Sequence, residues 1–243
     1  MIEIKNLHKS FKGKKVLNGV ELQIEKGEII AIIGKSGCGK SVLIKHIVGL
    51  LKPDFGWVKV EDKRIDKISN QELYQLRTKF GFLFQNAALF DSLTVEENIA
   101  LPLLERNYKY AKKELLKIVN EKLELVGLKG TNKLKPSELS GGMRKRAGLA
   151  RALVGNPEYI FYDEPTTGLD PAMSDNIDEL IKTISYSTNA TSIIITHDMQ
   201  TVKTIPKRTI MLEDGRVYFD GTPEELLFSK DPNISAFIKR SGA

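Results

Sequence analysis

The sequence predicts an α/β fold with a parallel core sheet, an antiparallel β flank and an inserted helical lobe. Three observations carry that expectation. Short, continuously apolar runs recur at 28–33 (EIIAII), 81–84 (GFLF), 159–162 (YIFY) and 192–196 (SIIIT). Continuous apolarity, unlike strict alternation, suits parallel strands covered on both faces. Helical patterns lie between these runs, at 41–51 and at 171–185, the second opened by Asp170 as cap and Pro171 in the first turn. The two ends of the chain instead alternate apolar and polar residues, at 2–11, 16–24 and 57–60, and 209–214 with 216–219 reads as a hairpin about Gly215. The middle, about 86–154, reads mainly helical; Ala111, Leu115, Ile118, Val119 and Val126 sit at helical spacing across 110–126.

The 243 residues suffice for one large domain with an inserted lobe. The expected division is a catalytic core with its β flank at 1–85 and 155–222, a helical subdomain at 86–154 and a helical tail at 223–243. Within the tail, 233–242 (NISAFIKRSG) places Ile234, Phe237 and Ile238 on one side of a short helix, to cover its own domain or to clasp a partner. Cys38 is the single cysteine, which excludes an internal disulfide framework and a cysteine-rich metal site. No apolar run approaches the roughly 18 residues of a membrane-spanning helix, and residues 1–10 lack the apolar core of a signal peptide. The chain is therefore expected in the cytoplasm. A formal net charge of +6 suits a polyphosphate ligand, an anionic membrane surface or nucleic acid, or simply reflects surplus surface lysine. The basic residues are dispersed and no aromatic–basic stripe appears, so nucleic acid is not an expected partner.

Residues 34–41 read GKSGCGKS, fitting G-x-x-x-x-G-K-[ST], after an apolar run and before a helical pattern. Gly34, Gly37 and Gly39, with the small residues Ser36 and Cys38, let backbone N–H groups from Lys35 onward curl around phosphate oxygens. The helix N-terminus adds its partial positive charge. Lys40 is placed to reach the β- and γ-phosphates and the Ser41 hydroxyl to bind Mg²⁺. Kinases and GTPases share such a loop, so the loop alone specifies a nucleoside triphosphate and not a reaction. Cys38 among backbone N–H groups is expected to have a lowered thiol pKa; the plainer reading is a small residue in a tight turn.

The run 159–162 ends in Asp163 and Glu164. A carboxylate at the end of a parallel strand lies at the ligand-binding edge of a sheet. Asp163 is expected to hold Mg²⁺ through water and Glu164 to polarise the attacking water as general base; alone, the pair would read as a solvated strand end. His197 follows the run 192–196 and would reach the same edge, although a single histidine is more often structural.

Residues 139–143 read LSGGM, followed by RKRAGLARAL, and 162–171 read YDEPTTGLDP. Together with the 34–41 loop, in this order and over nearly the whole chain, these motifs resemble an ATP-binding cassette (ABC) transporter ATPase. The resemblance implies ATP and Mg²⁺ as ligands and gives roles to single residues. Phe11 falls where the family stacks an aromatic ring on adenine; otherwise it is a core residue. Gln85 matches the glutamine that touches Mg²⁺ or the lytic water. Ser140, Gly141 and Gly142 match the signature that contacts the γ-phosphate on an opposing subunit, and Asp170 and His197 match the D-loop and the switch histidine. A second copy of the chain in a head-to-tail homodimer is thereby implied, with integral membrane permease subunits as further partners. The segment 86–104 lies where the family receives a permease's coupling helix, with Ala88, Leu89, Phe90 and Leu93 as candidate contacts, unless they pack inside the helical lobe.

Two departures stand out. Val42 replaces the common hydroxyl residue after Ser41, removing one side-chain contact to the α-phosphate. Met143 replaces the common glutamine that ends the signature. Met143 with its flanking residues resembles the ATPase subunits of bacterial and plastid phospholipid transporters that work with mammalian-cell-entry-domain proteins. That resemblance implies lipid-binding accessory subunits and a peripheral location on the cytoplasmic face of the inner membrane. The alternatives are a cassette ATPase for another solute, a soluble cassette ATPase outside transport, and a nucleotide-regulated binding module without turnover.

Overall fold

The computed structural model describes residues 1–105 and 110–241. Its contacts divide the chain into two compact units, Met1–Arg77 with Ala190–Ala243, and Thr78–Asn189. The first unit begins with β1 (Ile2–Phe11), β2 (Lys14–Ile24), β3 (Ile29–Ile33), α1 (Lys40–Ile47), β4 (Phe55–Val60), β5 (Lys63–Arg64) and α2 (Asn70–Arg77). The second holds β6 (Phe80–Leu83), α3 (Val95–Glu105), α4 (Lys112–Leu125), a 3₁₀ turn at Pro136–Glu138, α5 (Gly141–Leu153), β7 (Tyr159–Asp163) and α6 (Pro171–Ser187). The chain then returns to the first unit with β8 (Thr191–Ile195), α7 (Met199–Thr204), β9 (Arg208–Glu213), β10 (Arg216–Gly221), α8 (Pro223–Leu227) and α9 (Pro232–Arg240).

In the first unit every residue of β3 is buried. It pairs in parallel with β8 on one side, Ile32 opposite Ile195, and with β9 on the other, Ile32 opposite Ile210. β10 adds to β9 antiparallel. Such burial on both faces is what the unbroken IIAII run anticipates. The alternating strands form a separate antiparallel sheet in the order β2-β1-β4-β5. Gly56 of β4 takes φ 80, and a Cβ there would overlap the carbonyls of Asn6 and Lys5. That close approach accompanies the register shift between Lys5 and His8 where β1 meets β4.

All the strands expected from sequence are present, displaced by no more than two residues at either end. The helix expected over 41–51 stops earlier, at Ile47. Gly49 adopts φ 72, the left-handed conformation that closes a helix with its last carbonyls satisfied. The pattern over 110–126 forms α4, and α6 starts as expected, with the Asp170 carboxylate accepting from the Met173 N–H at 2.9 Å. In the tail, Ile234 and Phe237 of α9 are buried in a cluster with Ala31, Ile33, Met199, Val202, Met211 and Leu226, and Ile238 packs against it. The tail thus covers its own unit; the last residue of the expected tail helix, Gly242, lies outside the described residues.

The second unit is organised by α5. Its glycine and alanines let it lie close to β6: a Cβ on Gly81 would overlap the Ala152 carbonyl, and one on Gly148 would sit 3.0 Å from the Ala87 Cβ. β6 pairs in parallel with β7, Leu83 opposite Tyr162. The two strands share an aromatic ladder in which Phe82 stacks on Phe161 at 4.8 Å and on Phe84 at 5.0 Å. Asn98 of α3 is fully buried and ties down the preceding loop, accepting from the Phe90 N–H at 2.7 Å and donating to the carbonyls of Phe90, Leu93 and Thr94. Among the described residues no helix is long and apolar enough to cross a membrane.

The glycine geometry generates a prediction. Gly56→Ala combines left-handed strain with overlap on two carbonyls, while at Gly13, with φ 83, a Cβ would meet nothing within 4 Å. Gly13→Ala should therefore cost about 1 kcal/mol and Gly56→Ala at least about 2 kcal/mol more, read as a lowered urea midpoint in equilibrium unfolding.

Candidate functional site

The 34–41 loop leaves the C-terminal end of β3 and runs into α1. Its three glycines all have positive φ: 142 at Gly34, 79 at Gly37 and 110 at Gly39. Gly34 is pinned from outside, since a Cβ would overlap the Leu212 carbonyl and lie 2.8 Å from the Cys38 Sγ. Gly39 is pinned as well, with Leu17 Cδ2 at 2.7 Å and the Val16 carbonyl at 2.9 Å from a Cβ position. Gly37 is open, so only its dihedral requires glycine. Gly39 caps α1 with no side-chain bond, and the first turn of α1 holds no acidic residue. The first N–H groups of α1 therefore keep the unmet donor capacity and positive field that favour an anion.

Lys40 donates to the Gly34 carbonyl at 2.6 Å and to the Lys35 carbonyl at 3.2 Å, so its ammonium sits over the loop it belongs to. Ser36, Gly37 and Ser41 are exposed, and Val42 is half-buried with its carbonyl bonded to the His46 Nδ1 at 2.7 Å. Lys35 is exposed and pairs with Glu213 at 2.7 Å. A cavity of about 290 Å³ beside the loop is lined by Lys14, Lys15, Lys35, Cys38 and the 212–215 turn. Burial pushes the Cys38 thiol pKa up and outweighs the opposing pull of Lys40 and the backbone N–H groups. This corrects the expectation of a lowered pKa: the loop's dipoles are present, but desolvation of the thiolate is the larger effect.

Phe11 ends β1 at 42% exposure, which corrects the alternative of a core phenylalanine, and Lys9 Nζ lies 5.6 Å from its ring centre. His197 is exposed directly after β8. Because β3 and β8 run parallel and in register, His197 and the 34–41 loop emerge from the same edge of that sheet.

The second unit gathers the remaining candidates. Gln85 follows β6 and is exposed; Asp163 ends the parallel neighbour β7, so both stand at one strand edge. Glu164 adopts φ 49, a left-handed conformation that costs a non-glycine residue about 1–3 kcal/mol and is typical of functional positions. Its carboxylate accepts from the Thr167 hydroxyl at 3.3 Å. Ser140 caps α5 by accepting from the Met143 N–H at 3.3 Å. Gly141 and Gly142 admit neighbours of their own unit: Cβ positions there would meet Leu169 Cδ2 at 3.5 Å and Met173 Sδ at 3.3 Å. The signature is thus brought against the segment that carries Asp170. A groove of about 430 Å³ lies beside β6 and α3, lined by Phe82, Phe84, Ala88, Phe90, Leu101 and Pro102 among others. Of the four coupling candidates, Ala88 and Phe90 line it, while Leu89 and Leu93 are half-buried.

Sequence reasoning missed two buried cations of α5. Lys145, 5% exposed, donates to the carbonyls of Gln85 and, at 3.1 Å, Glu164. Burial lowers its pKa against the pull of Glu164 and Asp163. Arg151 donates to the carbonyls of Ala88 and Ala87, each at 2.6 Å, and both alanines have positive φ. The signal was available: Lys145, Gly148 and Arg151 recur at a spacing of three, which puts a small residue between two cations on one helix face.

Comparison with known proteins agrees with these motifs. A family model described as ABC transporter matches residues 17–167. The Probable ribonucleotide transport ATP-binding protein mkl of Mycobacterium leprae is 44% identical, over 98% of this chain and 68% of its own length. The Intermembrane phospholipid transport system ATP-binding protein MlaF of Haemophilus influenzae is 41% identical, over 98% of this chain and 90% of its own. A solved dimeric structure of the ATP-binding cassette MJ0796, in a post-hydrolysis state bound to ADP and Pi, superposes with TM-score 0.84 at 33% identity, covering 92% of this chain and 99% of that one. The chain therefore belongs to the ABC transporter family, as its ATP-binding and ATP-hydrolysing cassette.

Proposed function

We propose that this chain energises phospholipid transport from or across the inner membrane, working as a peripheral ATPase on its cytoplasmic face. The observation that carries the lipid assignment is the MlaF relative, 41% identical over nearly the full length of both chains. The Met143 ending of the signature supports it. The mkl relative, named for ribonucleotide transport, favours the second reading, a cassette ATPase for another solute.

In this reading the ATP phosphates lie on the N–H groups of residues 34–41, with Lys40 released from the Gly34 and Lys35 carbonyls to the β- and γ-phosphates. Phe11 stacks on adenine; Val42 leaves the α-phosphate to backbone donors. The oxygen donors Ser41, Asp163 and Gln85 suit a hard cation. Mg²⁺, when bound, would offset charge on the β- and γ-phosphates, held by Ser41, Asp163 and Gln85. Glu164 takes the proton of the attacking water, and His197 hydrogen-bonds the γ-phosphate oxygens.

The chain holds one 34–41 loop and one signature. We assign Ser140, Gly141, Gly142 and Asp170 to the ATP of a second copy in a head-to-tail homodimer, in keeping with the dimeric MJ0796 structures. The helices within 86–154 act as the moving lobe, and the groove about Phe84, Ala88 and Phe90 receives a permease's coupling helix. Lipid-binding accessory subunits complete the assembly.

Two sets of variants test this. Lys40→Ala and Glu164→Gln should each lower ATPase kcat by at least about 100-fold. Lys40→Ala should also weaken ATP binding, whereas Glu164→Gln should retain ATP and accumulate as a dimer on size-exclusion chromatography. Phe90→Ala should reduce recovery of membrane subunits on affinity purification while leaving ATP affinity unchanged. Mass spectrometry of the purified complex should find bound phospholipid; another bound solute would select the second reading, and a soluble ribosomal or DNA-repair complex would exclude both.

A further inference from the structure

Lys145 is a costly residue where it stands. It is 5% exposed, and burying an ammonium is expensive unless hydrogen bonds replace its water. Its acceptors are two main-chain carbonyls from different strand ends, those of Gln85 after β6 and Glu164 after β7. Neither contact engages the side chain of Gln85 or Glu164. What Lys145 sets is the direction of the two peptide groups from which those side chains project.

The peptide at Glu164 needs such a hold. Its φ of 49 is disfavoured for a residue with a Cβ, and its carbonyl is otherwise met by the Thr167 N–H at 3.3 Å. The loop after Gln85 turns through two left-handed residues, with φ of 57 at Ala87 and 48 at Ala88; their carbonyls accept from Arg151, and Lys145 holds the Gln85 carbonyl where that loop begins. An ammonium can donate to both carbonyls at once because its three protons diverge from one nitrogen. Charge-assisted bonds of this kind are about twice as strong as neutral ones. An apolar residue of the same length would fill the space but would no longer tie the two carbonyls to each other and to α5.

We propose that Lys145 is a positioning residue for ATP hydrolysis, holding the peptides of Gln85 and Glu164 so that both side chains keep one geometry relative to the signature helix. Since Lys145 lies one turn after the Ser140–Gly142 signature, a shift of α5 moves both strand-end residues with it. This inference rests on the reading of Glu164 as the general base.

The test uses the full-length chain, purified with the membrane subunits it carries, and the variants Lys145→Met, Lys145→Arg and Glu164→Gln. Lys145→Met should lower kcat about 10- to 100-fold, the effect of misplacing a catalytic group by about 1 Å, with KM for ATP within about twofold. Lys145→Arg, which keeps the charge and its donors, should recover kcat to within about fivefold of the parent. Amide hydrogen exchange should quicken in Lys145→Met at residues 85–88 and 164–167 and stay unchanged in the 34–41 loop. A Lys145→Met kcat within twofold of the parent, with Glu164→Gln inactive, would overturn the role of Lys145 alone. Turnover retained in Glu164→Gln would instead remove the reading beneath it. Should Lys145→Met fail to fold, Lys145→Gln takes its place, and a kcat within twofold of the parent again overturns the inference.

Discussion

The 34–41 loop makes a tight turn between a buried strand and a helix, and its three glycines all take positive φ. In this chain the parallel strand β3 delivers the backbone to that turn, and the requirement spreads outward from there. Gly34 and Gly39 have no room for a side chain because the Leu212 carbonyl, Leu17 and Val16 press on the loop from outside. Within the loop the Cys38 N–H donates to the Lys35 carbonyl at 3.2 Å, closing a turn over 35–38. Lys40 lies on the Gly34 and Lys35 carbonyls, so the cation is already over the loop. The β flank and the 212–215 turn thus serve the loop as buttresses as well as stabilising their own unit.

The second unit solves a different problem, again with backbone groups. Strand ends at β6 and β7 carry Gln85, Asp163 and Glu164, and two of the peptides just beyond them lie in left-handed conformations at Ala87 and Ala88, with a third at Glu164. Buried cations on α5 meet the carbonyls of this region, Lys145 at Gln85 and Glu164 and Arg151 at Ala87 and Ala88. Each cation loses water and gains fixed carbonyl dipoles, an exchange that makes sense where the gain is geometry more than stability. The glycine-rich start of α5 adds a further close approach, to Leu169 and Met173 near Asp170. One helix therefore carries the signature at its N-terminus and braces the strand ends along its length.

The fold was largely legible because its strands follow simple periodicities. IIAII and YIFY are apolar at every position and become fully buried parallel strands; the alternating 2–11 segment becomes a strand buried on one face. The 34–41 loop, the Asp163–Glu164 pair and the signature were legible because each is a short local motif whose chemistry is set by its own spacing. The helix over 41–51 was read too long because apolar spacing continued past the point where Gly49 turns left-handed. The lowered thiol pKa weighed for Cys38 against its plainer reading as a small residue in a tight turn is not found, because local dipoles can be inferred from the loop, whereas the burial that overrides them cannot.

The sequence by itself determined the glycine-rich loop between strand and helix, the acidic strand end, the capped helix after residue 140 and the family to which the chain belongs, since residues adjacent in the chain carry each of them. Only the tertiary structure decided what surrounds them. It seated α9 on the core of its own unit, left Phe11 exposed, raised the Cys38 pKa, and joined Lys145 to carbonyls 60 and 19 residues away. Those features depend on desolvation and on contacts between distant segments, and both come into being only when the chain has closed around them.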